Sequence, residues 1–119
     1  MINQQTIDVG DVVLAQFPYE DNPNMMKLRP AVVIGIQNNN LTVVALKITS
    51  TPPRDKFDYE LVNWALAGLK DVSTVRTSKN AIIVIQAIVR KIGSLTQSDF
   101  QEVMRLYNMN LSRINSAKL

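Results

Sequence analysis

The sequence predicts a mainly β protein: a small, strongly curved antiparallel barrel with helical cover, in one domain of 119 residues. Short runs rich in Val, Ile and Thr recur along most of the chain, separated by loops of proline, asparagine and other turn residues. Three consecutive asparagines at 38–40 predict a tight turn between two of these runs, since Asn tolerates positive φ. A helix-capping pattern followed by an apolar stripe at helical spacing predicts one long C-terminal helix.

The first three strands follow from apolar runs and the turns between them. Residues 11–17 form a nearly continuous apolar run after Gly10 and are predicted to be the first strand. Residues 18–28 contain two prolines and several polar turn residues, so we expect a loop there. Residues 29–37 and 41–50 are predicted to pair as a hairpin about the asparagine turn.

The middle of the chain consists of short elements. A second loop at 51–56 is expected to lead into an extended segment at 57–62. Asn63 is a suitable cap for a short helix at 64–67, which Gly68 would end in the left-handed conformation. The sequence therefore predicts a short middle helix.

The last part of the chain combines a strand with the long helix. Residues 73–79 are predicted to be a strand, and 81–89 hold either another strand or two short pieces, which periodicity alone does not separate. Residues 96–99 form a capping box, with Leu95 and Phe100 as its hydrophobic staple. Apolar residues then follow at helical spacing as one stripe, which we expect to be core or dimer contact: Phe100, Val103, Met104, Tyr107, Leu111 and Ile114.

Composition removes several classes of chemistry. The chain has no Cys and no His, which excludes disulfides, thiolate metal sites, cysteine nucleophiles and the commonest general base. A glycine-rich phosphate loop, a Gly-x-Ser-x-Gly motif and an acidic metal cluster are also absent, so neither a metal nor a cofactor is expected. Residues 1–8 do not resemble a signal peptide, and no apolar run approaches the ~18 residues of a membrane span. We therefore expect a cytoplasmic protein without a membrane partner.

The net charge of +3 is unevenly distributed. The segment between Val72 and Ser98 contains no Asp or Glu. Its basic residues are Arg76, Lys79, Arg90 and Lys91. A cationic surface there suits a phosphate-bearing partner, and the alternative is scattered cations on a solvated face.

The start of the second strand is a candidate site. Pro30 holds the preceding residue extended, so Arg29 is fixed at the mouth of an apolar strand. Arg29 and Thr49 are each ten residues from Asn39 at the centre of the asparagine turn, so antiparallel pairing places them side by side at the open end of the hairpin. These two groups suit one phosphate, with Phe17 or Tyr19 as base-stacking surfaces. The alternatives are a solvated strand-end cation, a hydroxyl bonded to its own backbone, and ordinary aromatic packing.

Six segments, taken in order, are similar to those of a known family. They are Gly10-Asp-Val-Val, Leu28-Arg-Pro-Ala-Val-Val-Ile34, Ile48-Thr-Ser50, Trp64 with Ala67-Gly-Leu69, Ser73 to Lys79, and Arg90 to Thr96. Together they resemble the MazF/PemK toxins over residues 8–115. The resemblance implies a sequence-specific, metal-independent endoribonuclease of a type II toxin–antitoxin pair, working as a homodimer on an SH3-like barrel. It also implies two partners, single-stranded RNA and an antitoxin whose acidic, disordered tail fills the RNA channel.

The same resemblance implies which residues form the site. In the family the arginine of the Arg-Pro step and the threonine after the third strand carry catalysis, and here these are Arg29 and Thr49. The candidate substrate-binding residues are Phe17, Tyr19, Lys27, Ser50, Thr51, Thr74, Arg76, Ser78 and Lys79. RNA is cleaved without a metal when its 2′-OH attacks the neighbouring phosphorus, leaving a 2′,3′-cyclic phosphate and a 5′-OH. A fixed guanidinium and a hydroxyl donor stabilise the charge that builds on the phosphoryl oxygens.

Departures from the family pattern leave the acid–base assignment open. Some branches use a histidine in the first long loop, and some use an aspartate where Ser78 stands. Glu20 and Asp21 are alternative bases, because an arginine is a poor proton acceptor. Two alternative functions remain: a catalytically idle nucleic-acid-binding barrel, and a gyrase-type inhibitor of the same fold. The second relies on a C-terminal tryptophan, whereas this chain ends in Ser-Ala-Lys-Leu.

Overall fold

The computed structural model describes residues 6–19, 21–22 and 24–117. Its elements are β1 (Asp11–Pro18), β2 (Met26–Gln37), β3 (Thr42–Thr49), β4 (Asp58–Glu60), β5 (Thr74–Val84), a 3₁₀ turn (Ile85–Ala87), β6 (Ile88–Ser94) and α1 (Gln97–Ala117). The strands form one six-stranded sheet in the order β4-β5-β3-β2-β1-β6, and neighbouring strands are antiparallel throughout. The mainly β class with a long C-terminal helix is confirmed.

The first loop is shorter than the sequence indicated. β2 begins at Met26, because its first three residues continue the ladder opposite residues 16–18 of β1. The loop is reduced to residues 19–25 and is closed by a hydrogen bond from Tyr19 N to Met25 O at 3.1 Å. The prediction of a loop through residue 28 is wrong, since ladder hydrogen bonds with β1 outweigh the polar, turn-rich local sequence.

The β2–β3 hairpin has the turn that the asparagines predict. Residues 38–40 all have positive φ, at 56°, 56° and 68°. A β-bulge shifts the register between Val33 and Gly35. Past the bulge the ladder runs on to Ala31 opposite Lys47, which brings the start of β2 beside the end of β3.

β5 is one long strand with a displaced segment. Its register with β3 shifts by three residues between Leu46 and Lys47, so residues 77–79 leave that ladder. The backbone N–H and the hydroxyl of Thr77 bond instead to the carbonyl oxygen of Phe57. The displaced segment is thereby attached to the chain that leads into β4.

The structure settles one segment that the sequence left open, 81–89, and corrects another, the short helix predicted at 64–67. Residues 81–89 divide among the end of β5, the 3₁₀ turn and the start of β6. Residues 64–67 form one hydrogen-bonded turn rather than a helix, with Leu69 N bonded to Trp64 O at 3.1 Å. So few residues make too few hydrogen bonds to repay helix nucleation. Gly68 ends the turn with φ +90°, as expected.

The sheet of the described residues is open. β4 and β6 are its edges, each paired on one side. β4 has only three residues, which leaves little backbone to pair with a further strand. The hydrogen-bonded closure of a barrel is therefore not seen in the part of the chain that the structure describes.

Two apolar clusters lie on the two faces of the sheet. Alternation along β1 places Val13, Ala15 and Phe17 in the first cluster and Val12 in the second. The second cluster also contains Val103 of α1, which is fully buried. The helix thus covers the face of the sheet that holds the second cluster.

α1 begins as the capping pattern predicts. Thr96 Oγ1 accepts the N–H of Asp99 at 3.4 Å, and both staple residues belong to the second cluster. The apolar stripe is less buried at its C-terminal end, where Leu111 and Ile114 are each 37% exposed. Within the described residues, no helix is long and apolar enough to cross a membrane.

Candidate active site

A cleft of about 420 Å³ opens where the β2–β3 hairpin ends. The β2–β3 ladder ends at Ala31 opposite Lys47, and extending its register by two residues along both strands brings Arg29 beside Thr49. Both residues line the cleft, together with Ser50. The structure thus brings together an arginine and two hydroxyls at the place where the sequence suggested a phosphate site.

The lining of the cleft combines apolar and charged side chains from several strands. Leu14 of β1 pairs with Pro30 of β2 on one side and with Arg90 of β6 on the other, and all three line the cleft. The charged lining residues are Arg29, Lys70, Asp71 and Arg90. Three cations and one carboxylate around one cavity favour an anionic ligand such as a phosphate.

Arg29 contributes a buried hydrogen-bond donor without a partner. The side chain is half-buried, and Nε is the one buried side-chain nitrogen or oxygen in the described part of the chain that lacks a hydrogen bond. Leaving a buried donor unpaired costs about 1–3 kcal/mol, so a ligand that brings an acceptor to this side chain as it adjusts would recover that free energy. The guanidinium fork matches two oxygens of one phosphate.

The hydroxyl of Thr49 is tied to the end of its strand. Thr49 Oγ1 accepts the N–H of Thr51 at 3.2 Å and donates its own hydrogen to Thr51 Oγ1 at 3.2 Å. This is the local backbone bond that was the alternative to a functional role. It does not exclude that role, because the hydroxyl hydrogen rotates about the C–O bond and can turn from Thr51 Oγ1 toward a ligand oxygen.

The segment 68–71 forms one wall of the cleft and packs closely against β6. Gly68 has φ +90°, and a Cβ there would lie 2.7 Å from the carbonyl oxygen of Ile92. A Cβ on Gly93 would collide with the carbonyl oxygen of Ala67. Both glycines are therefore needed for this wall to approach the edge strand.

Asp99 holds the chain that leads into the same wall. Its carboxylate, 1% exposed, accepts hydrogen bonds from Tyr59 Oη at 2.7 Å, Val62 N at 3.1 Å and Asn63 N at 2.8 Å. Burial, together with the hydrogen bond and the charge of Asp99, raises the pKa of Tyr59 to about 12. Asp99, the last residue of the capping box, therefore anchors the distant segment 59–63 as well as the start of its own helix.

The other substrate-binding residues predicted near β1, β2 and the second loop differ in exposure. Phe17 is 3% exposed within the first cluster, so its ring offers no stacking surface and the alternative of ordinary packing holds. Tyr19 is half-buried, while Lys27 and Thr51 are exposed. None of these four residues is among the lining of the cleft.

The predicted contacts on β5 also lie outside the cleft lining. Arg76 is 5% exposed, and its Nε donates to Asp58 Oδ1 at 2.9 Å, so the expectation of an exposed cation is wrong. The β4–β5 ladder pairs these two residues, which brings the carboxylate to the arginine. Thr74 is 1% exposed, and Ser78 and Lys79 are half-buried in the displaced segment. Thr74 and Arg76 therefore support the sheet beside the site, while Ser78 and Lys79 stay predicted contacts outside the cleft.

Sequence reasoning missed part of the cleft. Lys70 and Asp71 line it, although nothing in their local sequence singled them out, and Ser73 lines it although the sequence marked it only as the start of a strand and of a family segment. The sequence did indicate Arg90 as part of the cationic stretch between Val72 and Ser98. Its position in the cleft, however, depends on the pairing of β6 with β1.

Residues 8–108 match the sequence model of the PemK-like, MazF-like toxins of type II toxin–antitoxin systems. The match spans most of the chain. The chain belongs to this family. The resemblance carried by the six ordered segments is thereby confirmed.

Solved structures of MazF toxins share the fold. A MazF from Deinococcus radiodurans superposes with a TM-score of 0.74 at 18% identity, covering 92% of this chain and 99% of that one. The Mycobacterium tuberculosis toxin MazF-mt6 gives 0.69 at 20% identity, covering 86% and 96%. An endoribonuclease in complex with its cognate antitoxin, from a mycobacterial species, gives 0.67 at 15% identity, covering 90% and 96%. No curated protein is a significant match in sequence.

Proposed function

We propose that this chain is the endoribonuclease toxin of a type II toxin–antitoxin pair and cleaves single-stranded RNA at specific sequences without a metal. The observation that carries the proposal is the buried, unpartnered Nε–H of Arg29 in the cleft that it shares with Thr49. Membership of the toxin family supports it, as does the name endoribonuclease for a mycobacterial structure of the same fold.

The cleft suits attack of a ribose 2′-OH on the neighbouring phosphorus. The fork of Arg29 binds two phosphoryl oxygens, and the Thr49 hydroxyl donates to an oxygen as its charge grows. Removing one donor of this kind typically costs roughly 10²–10³ in rate. Arg90 lies on β6, which β1 separates from β2, and adds a further positive charge to the cleft. Side chains of the protein thus neutralise the negative charge that develops on the phosphoryl oxygens.

We also propose a homodimer of SH3-like barrels that is controlled by an antitoxin with an acidic, disordered tail. The mycobacterial neighbour, which is in complex with its cognate antitoxin, supports the antitoxin partner, whereas the homodimer and the acidic tail are what the family resemblance implies. An acidic polypeptide and an RNA backbone are attracted to the same cations, here Arg29, Lys70 and Arg90. Because Arg76 is buried beside Asp58, we place the shared surface at this cleft rather than along β5.

The test is incubation of the purified protein with a long RNA in EDTA, followed by sequencing of the fragment ends. The wild type should cut at one short motif, and Arg29→Ala and Thr49→Ala should each cut at least roughly 10²-fold more slowly. Matched controls are Arg105→Ala, an exposed arginine on α1, and Thr42→Ala at the far end of β3. Both controls should cut like the wild type.

Three outcomes contradict the proposal in different ways. Binding of RNA by the wild type without any product would identify an idle nucleic-acid-binding protein. Inhibition of gyrase with no effect on RNA would identify the gyrase-type inhibitor. Cutting by Arg29→Ala at the wild-type rate would show that the protein is a nuclease whose active site lies outside this cleft.

A further inference from the structure

The proposed reaction needs a proton acceptor and a proton donor. The 2′-OH must lose its proton as it attacks phosphorus, and the leaving 5′-oxygen must gain one. Guanidinium groups stay protonated in proteins, so Arg29 and Arg90 serve neither purpose. The hydroxyl of Thr49 is a weak base whose oxygen already accepts a backbone N–H.

Asp71 is the carboxylate that the fold places at the cleft. Asp21, the candidate from the first loop, is exposed and is not among the lining residues, and Glu20 lies outside the described residues. Three other aspartates are buried and bonded elsewhere: Asp11, Asp58 and Asp99. Among the described residues, the lining of the cleft therefore contains one carboxylate, that of Asp71.

The backbone on both sides of Asp71 is fixed. Before it, the left-handed turn at Gly68 packs against the carbonyl of Ile92. After it, Ser73 Oγ donates to the carbonyl oxygen of Asp71 at 2.8 Å, and Ser73 O accepts Leu61 N at 2.9 Å. An exposed carboxylate on an anchored backbone is suited to meet a substrate that enters the cleft.

The cations of the cleft differ in whether they can release a proton. The charged groups that share the cleft with Asp71 are Arg29, Lys70 and Arg90. Lys70 is the member of this set whose cation is not a guanidinium, so it can release a proton.

We propose that Asp71 is the general base and Lys70 the general acid of RNA cleavage, an inference that rests on the endoribonuclease function proposed above. The Asp71 carboxylate takes the 2′-OH proton while the 2′-oxygen forms its bond to phosphorus. The bond between phosphorus and the 5′-oxygen breaks, the electron pair stays on that oxygen, and the Lys70 ammonium protonates it. The products are a 2′,3′-cyclic phosphate and a 5′-OH, with Asp71 protonated and Lys70 neutral until solvent restores both.

Asp71→Asn tests the base. The change should lower kcat by roughly 10²–10⁴-fold, the usual contribution of a general base, and flatten the acidic limb of the pH–rate profile. Binding of an all-2′-deoxy analogue should be as tight as in the wild type or tighter, because a negative charge leaves a cationic cleft. Asp8→Asn, which neutralises an exposed aspartate outside the cleft lining, is the matched control and should behave like the wild type.

Chemical rescue separates a lost base from a lost structural contact. Formate should restore part of the activity of Asp71→Ala, since a small carboxylate can occupy the vacated space and accept the proton. An unchanged kcat in Asp71→Asn, or a failure of formate to relieve Asp71→Ala, overturns the assignment. If the wild type does not cut RNA at all, the proposed function fails instead, so the two failures are distinct.

Lys70→Arg tests the acid, because it keeps the positive charge but removes the transferable proton. The variant should cut ordinary RNA slowly. It should cut an RNA with a 5′-sulfur at the scissile bond as fast as the wild type does, because a thiolate leaves without being protonated. Wild-type speed on ordinary RNA, or equal losses on both substrates, would exclude Lys70 as the donor.

Discussion

Replacing Arg29 with methionine should stabilise the fold while abolishing RNA cleavage. Methionine keeps an unbranched apolar stem for packing but removes the buried Nε–H, which has no partner in the described structure. It also removes one of the three positive charges that Arg29, Lys70 and Arg90 bring to the same cleft. The substitution should thus raise the free energy of unfolding and remove the group proposed to bind the phosphate.

The size of the gain follows from the burial of the side chain. An unpaired buried donor costs about 1–3 kcal/mol. Because Arg29 as a whole is half-buried, we expect a gain near the low end, about 1 kcal/mol. For a chain of this length that corresponds to a rise in Tm of about 3–6 °C.

The assay is thermal and urea denaturation of both proteins at equal concentration, because the stability of an oligomer depends on protomer concentration. Arg105→Met is the control: its guanidinium is exposed and bonded to Glu102 at 2.9 Å, so its loss should leave Tm unchanged or slightly lower. An uncleavable RNA should raise the Tm of the wild type and not that of Arg29→Met. A fall in Tm for Arg29→Met would refute the reasoning, since it would mean that the folded protein already satisfies this guanidinium.

Further predictions concern the wall of the cleft, the buried carboxylate and the antitoxin. Gly93→Ala should lower the free energy of unfolding by about 1–3 kcal/mol, because its Cβ would collide with the carbonyl oxygen of Ala67. Gly35→Ala should be tolerated, since its Cβ meets ordinary contacts from 3.7 Å; equal stability of the two variants in urea would contradict the described packing. Burial, and after it the hydrogen bond to Asp99, raises the pKa of Tyr59 from 10.0 to about 12, so the protonated side chain contributes stability that is complete below pH 10 and is lost as the pH rises through 12. Tyr59→Phe should remove this alkaline loss when Tm is measured against pH, and an identical alkaline slope would show that the titration lies elsewhere. An acidic antitoxin peptide and labelled, uncleavable RNA should compete for one surface. Each should bind more weakly as salt is added, because charges are screened beyond ~10 Å at 0.1 M. Simultaneous binding of both without loss of affinity would exclude a shared surface.

The position of Arg29 beside Thr49 depends on one feature that local sequence patterns predict, the asparagine turn, and on one that they do not, the bulge after Val33. The asparagine turn fixes Gln37 opposite Thr42, and that register alone would place Arg29 opposite Ser50. The one-residue shift at the bulge after Val33 moves the partner to Thr49, and no residue pattern indicates it. Counting equal distances from the turn gave the same pair, because the bulge offsets the asymmetry of the turn.

The rest of the cleft depends on contacts between distant parts of the chain. Arg90 reaches it because β6 pairs with β1, and the wall at 68–71 is placed by the close approach of Gly93 to Ala67. Arg76 looked like a surface cation because its partner, Asp58, reaches it only through the β4–β5 ladder. Patterns of spacing and propensity carry no information on such pairings.

The central claim is that the Arg29 cleft cleaves RNA by attack of the 2′-OH on phosphorus. The most direct measurement compares, in EDTA, an RNA that contains the cleavage motif with the same RNA carrying one 2′-deoxy nucleotide at the scissile position, with product ends identified by mass. We expect a 2′,3′-cyclic phosphate and a 5′-OH from the first substrate and no cleavage of the second. Cleavage of the deoxy substrate would make water the nucleophile and contradict the account.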